Sequence, residues 1–140
     1  MLAEGTRSYA MNHAIGGLPY VTDDTRNIRR FFREGDLTAH GPSQLYVFID
    51  EHEFTLGSTA FYVIEDRTPE TGIWEDLPAA RHGRQGALSF ADGHAELHRW
   101  LEGSTTPPTK HLTDSHLAFP AADSRDWVWL HARTSSRAPN

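Results

Sequence analysis

The chain has 140 residues, a formal net charge of −6 and no cysteine. A length of this order favours one domain with a modest core, and the acidic balance without a basic stripe argues against nucleic acid as a partner. The missing cysteines exclude disulfides, thiolate zinc sites and cysteine nucleophiles. We expect a single domain over 1–140 that frays at 1–6 and 134–140 and has neither a signal peptide nor a membrane span.

Three strand-like segments occupy the first half of the chain. RSYAMN, at 7–12, is a short strand followed by turn signals. QLYVFI, at 44–49, and AFYVI, at 60–64, are nearly continuous β-branched and aromatic runs, which are typical of buried strands. The short link between these two predicts an antiparallel pair. Three polar residues follow at the mouth of that pair, namely Asp50, Glu51 and His52.

A hairpin is predicted around Asp92-Gly93, which separates the strand-like runs 87–91 and 94–100. An Asp-Gly pair in this position favours a two-residue turn. Because side chains alternate along strands, that register predicts one apolar and one polar face. The apolar face would carry Leu88, Phe90, Ala95 and Leu97, and the polar face would carry His94, Glu96 and His98.

The C-terminal part combines a long loop with a short helix. Residues 102–124 are rich in Ser, Thr and Pro and are too many for an ordinary connection, so they form a functional or a mobile loop. Ser124 is placed to cap a helix that presents Trp127 and Leu130 on one side. Taken together, the elements predict an α+β domain with an antiparallel sheet, little helix and a long C-terminal loop.

One spacing in the chain resembles a known bacterial group. His82 is followed by nine residues and then by Asp92-Gly93, which resembles the H-x9-D-G domain of prepilin-type processing-associated pseudopilins. The segments RSYAMN, PSQLYVFIDEHEFTLGSTAFYV and DWVWLHART resemble the same group, so the resemblance extends from 7 to 134. It implies a pilin-like head related to type II secretion pseudopilins, here without the group's basic leader, cleavage site and long apolar helix.

The resemblance implies a function in assembly. The chain would be the soluble head of a pseudopilin-like protein in a type II secretion or type IV pilus-like system outside the cytoplasm. Its partners would be other pseudopilin-like subunits or secretion components. Related heads often hold calcium in a C-terminal loop, and calcium takes six to eight oxygen ligands. The candidate ligands in this chain are Asp114, Asp123, Ser124 and Asp126.

Nine histidines suggest a second possibility, a hydrolytic site. His82, Asp92 and His94 could bind zinc or a similar ion with an open position for water; alternatively, His82 could bond the turn carboxylate and lock the preceding loop. A carboxylate beside His52 could act as a general base. The alternative function is therefore a metal-dependent hydrolase of an ester or lactone, such as an acyl-homoserine lactone, with calcium favoured over zinc. Its candidate catalytic residues are His82, Asp92, His94, Glu51 and Asp50.

Overall fold

Seven strands and one α-helix form the regular structure of the residues that the computed structural model describes, which are 7–16, 30–63, 67–107 and 119–135. The strands are β1 Tyr9–Asn12, β2 Tyr46–Asp50, β3 Ala60–Phe61, β4 Ile73–Trp74, β5 Gln85–Phe90, β6 Ala95–Arg99 and β7 Phe119–Pro120, and the helix is α1 Arg125–His131. Short 3-10 turns occupy Glu34–Ala39, Pro42–Gln44, Pro69–Thr71 and Gly103–Thr105. The predicted α+β class with little helix is confirmed. Within the described residues, no helix is long and apolar enough to cross a membrane.

The main sheet has the strand order β3-β1-β2-β5-β6, in which the β1–β3 pair is parallel and the other pairs are antiparallel. The prediction that β2 and β3 pair with each other was wrong, because β1 lies between them. The segment 51–59 carries the chain past β1 and bonds to it at both ends. The Glu51 amide donates to the Ser8 carbonyl (2.8 Å), and the Met11 amide donates to the Thr59 carbonyl (3.0 Å).

The principal core lies on the inner face of this sheet, under α1 and the separate β4–β7 pair. Three indoles are buried in it, and two of them donate to backbone carbonyls. Trp100 Nε1 bonds Ala79 and Trp127 Nε1 bonds Ile73, each at 2.9 Å. Buried indoles need such partners, and each buries a large apolar area. The main buried apolar side chains are Trp74, Trp100, Trp127, Tyr46, Phe61, Ile49, Leu77 and Leu130.

The β5–β6 hairpin has a three-residue loop, so the predicted two-residue turn was wrong. The Gly93 amide donates to the Phe90 carbonyl and the Phe90 amide donates to the His94 carbonyl, both at 2.9 Å. Only Gly93 of the loop has a positive φ, at 92°. This is a β-turn followed by a left-handed glycine, the geometry of a bulged hairpin. Asp92 supports it by accepting from the His94 amide at 3.1 Å.

The extra loop residue shifts the register by one and exchanges the two faces of β6. Leu88 lies opposite Glu96, and therefore Glu96 and His98 project to the same side as the buried residues of β5. Leu97, predicted to be on the buried face, is 55% exposed on the opposite one. The His98 ring stacks on Trp129 of α1 with centroids 3.6 Å apart. This contact gives the inward-facing histidine an aromatic partner.

The chain termini are described only in part. Thr134 and Ser135 are buried, although fraying was predicted from 134 onward. The reason is a link to the first strand, since Asn12 Nδ2 donates to the Thr134 carbonyl at 2.9 Å. Residues 1–6 and 136–140, the rest of the predicted frayed ends, lie outside the described residues.

Gly86 of β5 lies where the surrounding atoms leave no room for a β-carbon. A β-carbon there would lie 2.7 Å from the Ala79 carbonyl oxygen and 3.1 Å from Trp100 Nε1. Gly86→Ala should therefore lower the free energy of unfolding by roughly 1–3 kcal/mol through overpacking. Urea unfolding followed by tryptophan fluorescence measures this. Gly103→Ala, whose β-carbon would meet nothing within 4 Å, is the control, and equal losses in both variants would contradict the argument.

Candidate functional site

The H-x9-D-G residues do not converge on one site. His82 is exposed in the turn that precedes β5, whereas Asp92 and His94 follow β5 at its other end. The six residues of β5 separate these ends by roughly 17 Å at about 3.4 Å per residue. The structure therefore brings His82 neither to a shared metal site with Asp92 nor to a hydrogen bond that locks the loop.

Asp92 and His94 instead form a local contact. Asp92 Oδ1 lies 2.5 Å from His94 Nδ1, and the His94 ring stacks on Phe90 with centroids 4.3 Å apart. Hydrogen bonds from the His94 amide and ring lower the pKa of the Asp92 carboxyl. Both side chains are well exposed. Turn geometry accounts for this pair without any catalytic role.

The sequence Asp50-Glu51-His52 is divided among three environments. Asp50 pairs with Tyr9 on the outer side of the sheet, Glu51 is buried, at 1% exposure, and His52 lines a cleft. Successive side chains of an extended segment point to opposite sides, which separates the two carboxylates. They do not form one catalytic group.

Glu51 is a buried carboxyl group with an incomplete set of partners. Its Oε1 is 3.1 Å from Thr55 Oγ1, while its Oε2 has no hydrogen-bond partner among the described residues. Burial, with a smaller contribution from Asp76, raises the pKa of Glu51 to about 8. Burial also raises the pKa of Asp76 to about 6. A carboxyl group that is protonated at neutral pH cannot serve there as a general base.

The hydrolase alternative stays a prediction. Of its five candidate catalytic residues, the structure groups only Asp92 with His94, and this pair belongs to an exposed turn. In the part of the chain that the structure describes, no group of three His, Asp or Glu side chains is arranged to hold a metal ion.

Three of the four predicted calcium ligands, Asp123, Ser124 and Asp126, lie at the start of α1. Ser124 is confirmed as the helix cap, since its Oγ accepts from the Trp127 amide at 3.3 Å. Asp123 is exposed with a φ of 57°, and Asp114 lies outside the described residues. Asp126 is 1% exposed. Calcium binding stays a prediction, and of the candidate ligands that the structure describes, Asp123 is the exposed one.

Asp126 holds the segment after β6 against the helix. Its carboxylate accepts from the Leu101 amide (2.9 and 3.0 Å), from the Glu102 amide (2.9 Å) and from Thr105 Oγ1 (2.7 Å). Charge-assisted bonds of this kind are stronger than bonds between neutral groups. The predicted metal ligand is therefore a structural anchor, a role that the sequence alone does not reveal.

Two surface features were missed at the sequence level. The first is the open face of the main sheet, defined by Tyr9, Met11, Phe48 and Leu97. Tyr9 and Phe48 are 53% and 42% exposed and meet edge to face at 5.7 Å. Together with Ile15 they line an apolar depression of about 220 Å³. Phe48 lies inside a run that reads as buried, so its pattern gives no signal of exposure.

The second missed feature is the arginine cleft, a depression of about 330 Å³. Three separate stretches of the chain contribute to it, which explains why no linear motif marks it. The lining residues are His52, Glu53, Ala80, Arg81, Arg84, Thr106 and Pro107.

Comparisons with protein-family models, with curated proteins and with solved structures find no match for this chain.

The buried Glu51 generates a pH prediction. Because its folded pKa of about 8 lies above the ordinary 4.5, the folded state holds the proton more tightly than the unfolded state. The stabilising effect of that proton is complete below pH 4.5 and is lost as pH rises towards 8, by up to about 1.4 kcal/mol per pH unit. Glu51→Gln should reduce this loss between pH 6 and pH 8, as measured by urea unfolding.

Glu53→Gln is the matched control for this prediction. Glu53 is exposed and its pKa is lowered, chiefly by backbone hydrogen bonding, so it does not titrate between pH 6 and pH 8. This variant should keep the wild-type dependence of stability on pH. A wild-type dependence that persists in Glu51→Gln would show that another group is responsible.

Proposed function

We propose that the chain is the head of a pseudopilin-like protein and serves as an assembly module in a type II secretion or type IV pilus-like system outside the cytoplasm. The observation that carries the proposal is the open face. The other side of the same sheet is covered by α1 and the core, whereas Tyr9, Phe48 and Leu97 remain exposed here. Exposed apolar side chains grouped on one surface are typical of interaction sites.

The proposed occupant of the open face is an apolar helix of a pseudopilin-like subunit. The resemblance implies such a helix in this group, and the small neighbours of the aromatic pair leave room for close packing. Phe48 lies opposite Ser89, and Ser89 lies opposite Ala95 on the next strand. Aromatic and aliphatic side chains beside small residues can pack closely against a helix.

The structural roles of the motif residues also support an assembly module over an enzyme. Asp92, a candidate catalytic residue, stabilises a turn, and Glu51, another of these candidates, is buried. The segments that carry the resemblance contain β1, β2, β3 and α1, so they are the parts that build the sheet and its helix.

Calcium is the ion proposed for the C-terminal segment. Asp123 is exposed immediately before the cap of α1, and the acidic residue Asp114 precedes it in the sequence. Carboxylate and carbonyl oxygens of such a loop are the ligand type that calcium prefers. A bound ion would tie this segment to the start of the helix.

A cross-linking experiment tests the open face. A photoreactive phenylalanine analogue in place of Phe48, introduced in the bacterium that produces the protein, should cross-link to a subunit with an apolar N-terminal helix. Val128 is the control position, since it is 39% exposed on α1 on the other side of the sheet. The products are identified by mass spectrometry. Identical products from both positions, or a Phe48 partner without such a helix, would contradict the proposal.

A melting experiment tests calcium. An ion that binds only the folded state at a hundred times its Kd adds about 2.7 kcal/mol of stability, so calcium should raise Tm relative to chelator. Asp114→Asn and Asp123→Asn should each reduce the increase, whereas Glu34→Gln, an exposed control, should not. Equal Tm values with calcium and with chelator would remove calcium from the proposal.

A further inference from the structure

The arginine cleft is built by residues that the assembly proposal does not use. The 52–53 turn, the 80–84 turn and the stretch 106–107 supply its walls. None of these residues belongs to the open face. Its own donors and charges indicate which class of ligand it would bind.

His52 lines the cleft with a neutral ring. Its Nδ1 accepts a hydrogen bond from the Phe54 amide at 3.1 Å, so the proton of the neutral ring lies on Nε2. Burial lowers the pKa of His52, which keeps the ring neutral at physiological pH. A neutral imidazole with Nε2–H is a hydrogen-bond donor that adds no net charge.

Arg81 contributes a charged donor that is held in place by the fold. Its Nη2 donates to the Glu51 carbonyl at 3.0 Å and to Glu53 Oε2 at 3.2 Å. Both contacts use the same nitrogen, so Nε and Nη1 keep N–H groups for a ligand. The side chain is 38% exposed. Glu53 thus competes, as an internal carboxylate, for the same guanidinium.

Arg84 is held in an unusual backbone conformation. Its φ is 66°, in the left-handed region that favours glycine. Two bonds keep it there, since its carbonyl accepts from the Trp100 amide at 2.8 Å and its Nη2 donates to the Leu101 carbonyl at 3.1 Å. A glycine would adopt this backbone without strain. Arg84 lines the cleft, so the chain keeps an arginine there at a conformational cost.

The local charge of the cleft is opposite to that of the whole chain. The net charge of the chain is −6, yet the cleft lining contains two arginines and one glutamate. Guanidinium groups match carboxylate and phosphate oxygens in geometry and charge. We propose that the cleft binds an oxyanion, the carboxylate or phosphate group of a small ligand, between Arg81 and Arg84, with His52 as a neutral donor and Glu53 as its internal competitor.

An NMR titration with two probes, inorganic phosphate and citrate, tests the proposal. Shifts of amide signals should concentrate in 52–53, 80–85 and 101–107 at millimolar concentrations of at least one probe. Saturation by phosphate alone, by citrate alone or by both supports the site and shows which oxyanion it accepts. Shifts absent from these segments with both probes would overturn it.

Four variants separate a binding site from general surface charge. Arg84→Gln should weaken binding about tenfold through loss of one charge-assisted contact. Arg84→Gly should weaken it similarly while keeping the left-handed backbone, which guards against a folding artefact. Glu53→Gln should strengthen binding severalfold by removing the competing carboxylate. Arg99→Gln, on the exposed edge strand, should bind like the wild type.

The pattern across these variants decides the outcome. Equal weakening by Arg99→Gln and Arg84→Gln would show that the probes respond only to surface charge and would overturn the proposal. Unchanged or weaker binding in Glu53→Gln would also overturn the proposal. It would show that the Glu53 carboxylate does not compete with the oxyanion for Arg81. These results do not depend on the open face or on calcium, so either proposal can fail while the other stands.

Discussion

The hydrogen bond from the Gly93 amide to the Phe90 carbonyl, together with the positive φ of Gly93, sets the register of β5 against β6, and much of the molecule depends on this register. A three-residue loop directs His98 inward, where its ring stacks on Trp129 and fastens β6 to α1. The same loop directs Leu97 outward. A two-residue turn would exchange these side chains, because the period of a strand is two. The contact of His98 with the helix and the position of Leu97 on the open face therefore have one common origin in the turn.

Several side chains that the sequence suggests as catalytic residues or metal ligands have structural roles in this fold. Asp126 accepts hydrogen bonds from two backbone amides of the loop after β6. Buried donors of this kind need partners. Glu51 is buried, and its raised pKa makes it a neutral polar group of the interior. The polar groups for which an oxyanion is proposed lie elsewhere, in the arginine cleft. There two guanidinium groups and one imidazole are brought together from two stretches of the chain, 80–84 and 52–53.

Local patterns predict the elements of this fold better than their partners. The apolar runs at 44–49 and 60–64 indicate β2 and β3, and Ser124 indicates the start of α1. Pairing was predicted less well, since β1 enters between β2 and β3. The link between the two runs does not indicate that β1, an N-terminal strand, pairs with the edge of β2. A prediction from adjacent segments therefore favours the nearest hairpin.

The sequence by itself determined the α+β class, the positions of the main strands, the helix cap and the presence of a turn at Asp92-Gly93. These features depend on alternation, β-propensity and turn chemistry within a few neighbouring residues. Only the tertiary structure decided the strand order, the register of β6, the burial of Glu51 and the grouping of Arg81 with Arg84 and His52. These properties depend on which distant segments pack together and exclude water. They also depend on which backbone groups those segments bond by hydrogen bonds. Local spacing does not record these contacts.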